Sequence, residues 1–140
     1  MSRGFARARR DVRGAAAVEF ALLLPVLMVL VFGIINYGDM LSVRQSVSQA
    51  ASEGARAAAV NPGDNAAKLA AGKKAVDAAL AAQDQKCSAS GCTITIAPCA
   101  GEGTKSCATV VVEIDYEGMI AGFGLVLPET LTYTAVARVS

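Results

Sequence analysis

AAAVEFALLLPVLMVLVFGII, residues 15–35, decides how the rest of the chain is read. The stretch holds one charge, Glu19, and otherwise only apolar side chains with Pro25 and Gly33. At ~1.5 Å per residue a helix of this length spans ~31 Å, the thickness of a bilayer's hydrocarbon core. A buried helix of a soluble protein would show a polar face over that distance, and none is visible. Pro25 removes the hydrogen bond to the carbonyl of Ala21 and can bend the helix, which membrane helices tolerate better than soluble ones.

On the N-terminal side, residues 1–14 carry Arg3, Arg7, Arg9, Arg10 and Arg13 against a single acid, Asp11, a net of +4. The remainder carries 8 basic and 11 acidic groups, a net of −3, so the overall +1 averages two unlike parts. Positive charge before an apolar segment holds that end in the cytoplasm. The expected organisation is a basic cytoplasmic leader (1–14), a transmembrane helix (15–35) and an exported stalk and head (36–140). Asn36, Tyr37 and Asp39 mark the exit into a polar phase. A cleaved secretory signal is disfavoured, because the apolar region is long and Ile34-Ile35-Asn36-Tyr37 is not a small-residue site. Arg9-Arg10 hints at a twin-arginine signal, but Asp11-Val12-Arg13 does not continue one.

The most specific run is Arg13-Gly14-Ala15-Ala16-Ala17-Val18-Glu19-Phe20-Ala21-Leu22-Leu23-Leu24-Pro25. A carboxylate inside a membrane helix costs roughly 2.5–3.5 kcal/mol at the centre and less near the end, so it usually needs a partner. A cut after Gly14 would create an α-amine at Ala15, and Glu19 of one subunit could pair with the amine of a neighbour. Gly14, without a side chain, would let an extended backbone enter a protease cleft.

These residues resemble a type IV prepilin cleavage site of the tight-adherence (Tad/Flp) class. Gly33-Ile34-Ile35-Asn36-Tyr37-Gly38 and Ala50-Ala51-Ser52-Glu53-Gly54-Ala55-Arg56-Ala57-Ala58-Ala59 are similar to the TadE-like minor pseudopilins. The resemblance covers about residues 13–60, and Phe20 stands where major Flp pilins usually carry tyrosine. Major Flp pilins are also much shorter. The resemblance implies cutting between Gly14 and Ala15 by a membrane prepilin peptidase, with Glu19 and Phe20 in subunit packing. It further implies as partners the lipid bilayer, other pilins and pseudopilins, and Tad inner-membrane platform proteins. The implied location is a bacterial inner membrane, single-pass, with the N-terminus cytoplasmic and the C-terminus periplasmic or extracellular.

Beyond the segment, Met40, Val43, Val47, Ala50, Gly54 and Ala58 recur at helical spacing, so the helix is expected to continue outward as an amphipathic rod. Its small-residue stripe could pack on its own domain or on a neighbour. Asn61-Pro62-Gly63-Asp64 stops that helix and offers Asp64 as N-cap for a second, about residues 65–82, anchored by Leu69, Val76 and Leu80. Lys68, Lys73, Lys74 and Asp77 read as its solvated face, and lysines without interleaved aromatics make a poor nucleic-acid surface. Periodicity then changes to two. Strands are expected at Thr93–Ala97, at Ala108–Tyr116 with Val110, Val112, Ile114 and Tyr116 on one face, and at Leu131–Val139 with Leu131, Tyr133, Ala135, Ala137 and Val139 on one face. The fold class is therefore α+β: a long N-terminal helix, a second helix and a small antiparallel sheet of about three strands. The apolar connection Met119–Pro128 reads either as cover for the sheet or as a patch for a partner.

Cys87, Cys92, Cys99 and Cys107 all lie in the exported half. An even number there reads as two disulfides, and the C-x4-C-x6-C-x7-C spacing with no histidine speaks against zinc. Of three possible pairings, Cys87–Cys92 with Cys99–Cys107 closes two local loops. Neither cofactor nor metal is expected. Catalysis is not expected either: histidine is absent, and no phosphate loop or nucleophile elbow appears. Glu113, Asp115 and Glu117 read as solvated acids. A pilus assembly component and an uncleaved, membrane-anchored binding module remain as the two functional classes.

Overall fold

A computed structural model describes residues 5–88, 91–118 and 128–139, with side chains described from residue 14 onward. Helix α1 runs unbroken from Phe5 to Val60, 56 residues or about 84 Å, with Pro25 inside it. Helix α2 spans Asn65–Ala81, and three strands follow: β1 (Cys92–Cys99), β2 (Glu102–Asp115) and β3 (Thr130–Arg138). They form one antiparallel sheet in the order β1-β2-β3. The class is α+β, as its periodicities indicate.

The turn between the helices follows its local chemistry. Asn61 Oδ1 accepts a hydrogen bond from the Gly63 N–H at 2.9 Å, and Asp64 Oδ1 accepts one from the Ala67 N–H at 2.8 Å. The first folds Asn-Pro-Gly back on itself, and the second satisfies one of the four open donors at the start of α2. α2 therefore returns along the upper part of α1. Where they cross, both chains carry glycine. A Cβ added at Gly54 would collide with Val76 Cγ2 and lie 3.3 Å from the Gly72 carbonyl oxygen. One added at Gly72 would meet Ile94 Cδ1 at 3.0 Å and Ala58 Cβ at 3.1 Å. The small-residue stripe thus packs on its own domain.

α1 lies across β2 and β3, and α2 across β1. One core results: Met40, Val47, Ala50, Ala51 and Ala55 of α1, Val76 and Leu80 of α2, Val110, Val112 and Ile114 of β2, with Tyr116 and Leu131. The expected inner face of β2 is buried throughout. On β3 only Leu131 is buried. Ala135, Ala137 and Val139 are half-buried, and Tyr133 is 40% exposed because it stands on an edge strand beyond full helical cover. Leu69 likewise is half-buried, and the buried set of α2 is Gly72, Val76 and Leu80. The connection at Met119–Pro128 lies outside the described residues up to Leu127.

β1 and β2 are longer than their alternating cores suggest, because they form a hairpin through Ala100 and Gly101. Gly101 takes φ +79°, a left-handed conformation that glycine adopts without steric penalty. Register slips between Pro98↔Ser106 and Cys99↔Glu102, leaving extra residues on β2. The Cys99–Cys107 disulfide spans that irregularity, and Cys87–Cys92 ties the end of the α2 loop to the start of β1. Glu113 departs from the reading as a solvated acid. It is half-buried and accepts hydrogen bonds from Ser88 Oγ at 3.5 Å and Thr132 Oγ1 at 3.4 Å.

Gly54→Leu is expected to force the helices apart and lower stability by about 1–3 kcal/mol. Thermal unfolding of the full chain in detergent micelles, followed by circular dichroism, checks this, with exposed Ser52→Leu as the control that leaves the midpoint unchanged.

Candidate anchor and processing site

α1 carries two kinds of surface in succession. From Gly14 to Phe32 every residue is exposed, with Leu22 at 73% and Val26 at 67%. Among the described residues nothing buries this part, and it is long and apolar enough to cross a membrane. From Asn36 onward one face is buried at the spacing Asn36, Met40, Val47, Ala50, Ala51, Gly54, Ala58. A helix apolar on all sides suits lipid, and a helix apolar on one side suits a water-facing domain.

Gly14, Ala15, Glu19 and Phe20 all lie on the exposed part, Phe20 at 60%. Gly14 does not mark a break: the helix passes through it, and a Cβ there would meet nothing within 4 Å. Glycine is nevertheless a weak point, costing a helix interior about 1 kcal/mol relative to alanine. Glu19, five residues further, is exposed among apolar neighbours, and among the described residues no ion pair reaches it. The structure does not bring these four residues into contact with the disulfides, which lie in the head at Cys87, Cys92, Cys99 and Cys107.

A second feature stands where the two surfaces of α1 meet. Tyr116, just past the end of β2, directs its hydroxyl at Asp39 Oδ2 (3.0 Å) and at the Asn36 carbonyl oxygen (3.4 Å). The Tyr116 backbone N–H in turn donates to the Glu129 carbonyl oxygen at 2.8 Å, joining the end of β2 to the approach to β3. Asn36 is 1% exposed and Tyr116 7%. Burial, then the hydrogen bond and charge of Asp39, push the Tyr116 hydroxyl up to about 12. By sequence alone Asn36 and Asp39 read only as exit residues and Tyr116 only as the last of a buried stripe. Asn36 stands four residues before Met40, so the helical stripe could have been extended to it.

A family model described as TadE-like protein matches residues 14–56, from Gly14 through the buried face of the stalk. No curated protein and no solved structure matches the chain. The family match and the apolar exposed helix together fit a membrane-anchored component of a Tad pilus system.

Tyr116→Phe removes the hydroxyl and is expected to cost about 1–2 kcal/mol, leaving Asp39 without its donor. The folded state favours the neutral phenol, so its contribution is complete below pH 10 and is lost as pH rises towards 12. Wild type should therefore lose on the order of 2 kcal/mol more than Tyr116→Phe across that window. Urea denaturation of both chains at stepped pH reads the difference.

Proposed function

We propose, from the match of residues 14–56 to the TadE-like family model, that the chain is a minor pseudopilin, an assembly component of a Tad-type adhesion pilus. It is made as a precursor, inserted with its basic leader in the cytoplasm, and cut after Gly14 by a prepilin peptidase. The observation that carries this reading is Glu19: an exposed carboxylate in an otherwise apolar helix, with no ion-pair partner among the described residues.

The chemistry follows from that one charge. Cutting between Gly14 and Ala15 would free an α-amine one helical turn from Glu19, at the same end of the apolar cylinder. Within one subunit the geometry favours the turn-to-turn approach. Between subunits the same two groups, in a medium of low dielectric, attract strongly enough to set the axial register of neighbouring helices. Phe20 and the leucines around it supply the apolar contact surface. The role is structural. No residue of the head is assigned a catalytic part, since the chain lacks histidine and the acids of β2 are engaged in hydrogen bonds or exposed.

The alternative, an uncleaved membrane-anchored binding module, draws on the helix that passes through Gly14 without a break. For a peptidase to cut there, the turn around Gly14 must unwind.

N-terminal sequencing of the membrane-associated protein, made with and without its cognate prepilin peptidase, separates the two. A start at Ala15 only when the peptidase is present is the expected result. A start at Met1 or Ser2 in both preparations would sink processing and leave the anchored module. Glu19→Ala is expected to leave the cut intact and to reduce incorporation with other pilin-like subunits, measured by co-purification from membranes.

A further inference from the structure

We propose that the heads of neighbouring copies join edge to edge, with β1 of one copy lying parallel to β3 of the next. The inference rests on the chain being anchored in a membrane through α1, and not on cleavage at Gly14.

The strands run along the anchor axis. Tyr116 meets α1 at Asn36 and Asp39, whereas Val110 Cγ1 lies 3.5 Å from a Cβ placed on Gly54. Residues 36 to 54 of a helix span about 27 Å, and residues 110 to 116 of a strand about 20 Å, so β2 descends roughly alongside α1. β1 and β3, each antiparallel to β2, therefore rise in the same direction as α1. The two edges of the sheet face sideways, in the plane in which other anchored copies lie.

Both edges are open among the described residues. β1 pairs only with β2, β3 pairs only with β2, and the backbone bonds outside the sheet do not reach the outer side of either. Edge strands are normally guarded by charge. β1, CTITIAPC, has none and only Pro98 near its end. β3, TLTYTAVAR, has one charge, Arg138, and both oxygens of Glu102 in the same sheet accept from it, at 2.7 and 2.6 Å. On the inner face the helices leave Ile94 and Ile96 of β1 and Ala135 and Ala137 of β3 half-buried. A neighbouring strand would complete their cover.

The anchor then chooses the partner. Antiparallel pairing of β1 with β1 has its two-fold axis perpendicular to the sheet and would turn the second α1 upside down. Parallel pairing of β1 with β1 would put the helices of the two copies on opposite faces of the sheet. Two copies in one membrane must keep α1 parallel. β1 against β3 keeps α1 parallel and leaves the helices of both copies on one face of a continued sheet. It is a heterologous contact that either closes into a ring or continues as a helix. In the chain's own sheet Thr95 stands level with Thr109 and Val136, so copies at equal height would set Thr95 beside Val136 of the next.

A photoreactive phenylalanine analogue at the exposed Thr95, in the full-length chain in its membrane, tests this. Irradiation should yield a dimer whose crosslink maps by mass spectrometry to residues 130–138 of a second copy. Its yield should fall about tenfold when the unlabelled copies carry Thr132→Lys, Thr134→Lys and Val136→Lys, exposed positions at which lysine guards an edge. Crosslinks to β1 of a second copy, to a different protein, or only within the labelled chain would overturn the proposal. A dimer from chains that still start at Met1 would uphold it while the processing proposal failed.

Discussion

One helix has to satisfy two solvents, and everything else follows from where it changes over. Within α1 every backbone group of the apolar part is hydrogen-bonded internally, which is what lets a polypeptide sit in hydrocarbon. The same hydrogen-bonded rod continues into the head, so no flexible joint separates the two environments. The change is made by side chains alone: apart from Glu19, apolar on every side from Ala15 to Ile35, and apolar on one side from Asn36 onward. The tie from Tyr116 to Asp39 sits at that change. It fastens the far end of the sheet to the first polar turn of the helix, so the orientation of the head is set by the orientation of the anchor.

Such a design makes size, rather than polarity, the limiting quantity in the head. The buried face of α1 is largely alanine, with Gly54 at the crossing, and α2 answers with Gly72. Small residues let the two backbones approach closely, so dispersion contacts replace the bulk that leucine would give. The cost is tolerance: a well-packed glycine contact has no spare volume.

How much of this could be read from the residues depended on the range of the contacts. Signals with a local cause were legible. The apolar run, the Asn-Pro-Gly-Asp stop, the alternation of Val110, Val112, Ile114 and Tyr116, and the short cysteine loops each declare themselves within one continuous stretch of sequence. Signals that depend on a distant partner were not. Asp39 and Tyr116 are 77 positions apart, and nothing near either announces the other. Gly54 reads only as a small member of a stripe, and Gly72 gives no signal of its own, until the fold brings them face to face. The slip between Pro98 and Cys99 was hidden because alternation locates a face, whereas a bulge is fixed by the hairpin's closing turn and by the Cys99–Cys107 bond. For the site itself, Gly14 and Glu19 stood out because a charge is rare in an apolar run. The tyrosine clamp that aims the head did not.

The disulfides acquire a different meaning once the sheet is seen from its edge. β1 has little support: among the described residues it has one strand neighbour, and its inner face is only half covered by α2. Its first residue is bonded to Cys87 and its last to Cys107, so both ends are held covalently. A strand held at its ends stays extended without help from a second neighbour, because the chain entropy that fraying would recover has been removed. That is the condition under which an uncharged edge can remain open and ordered together, available for pairing without first having to be folded by its partner.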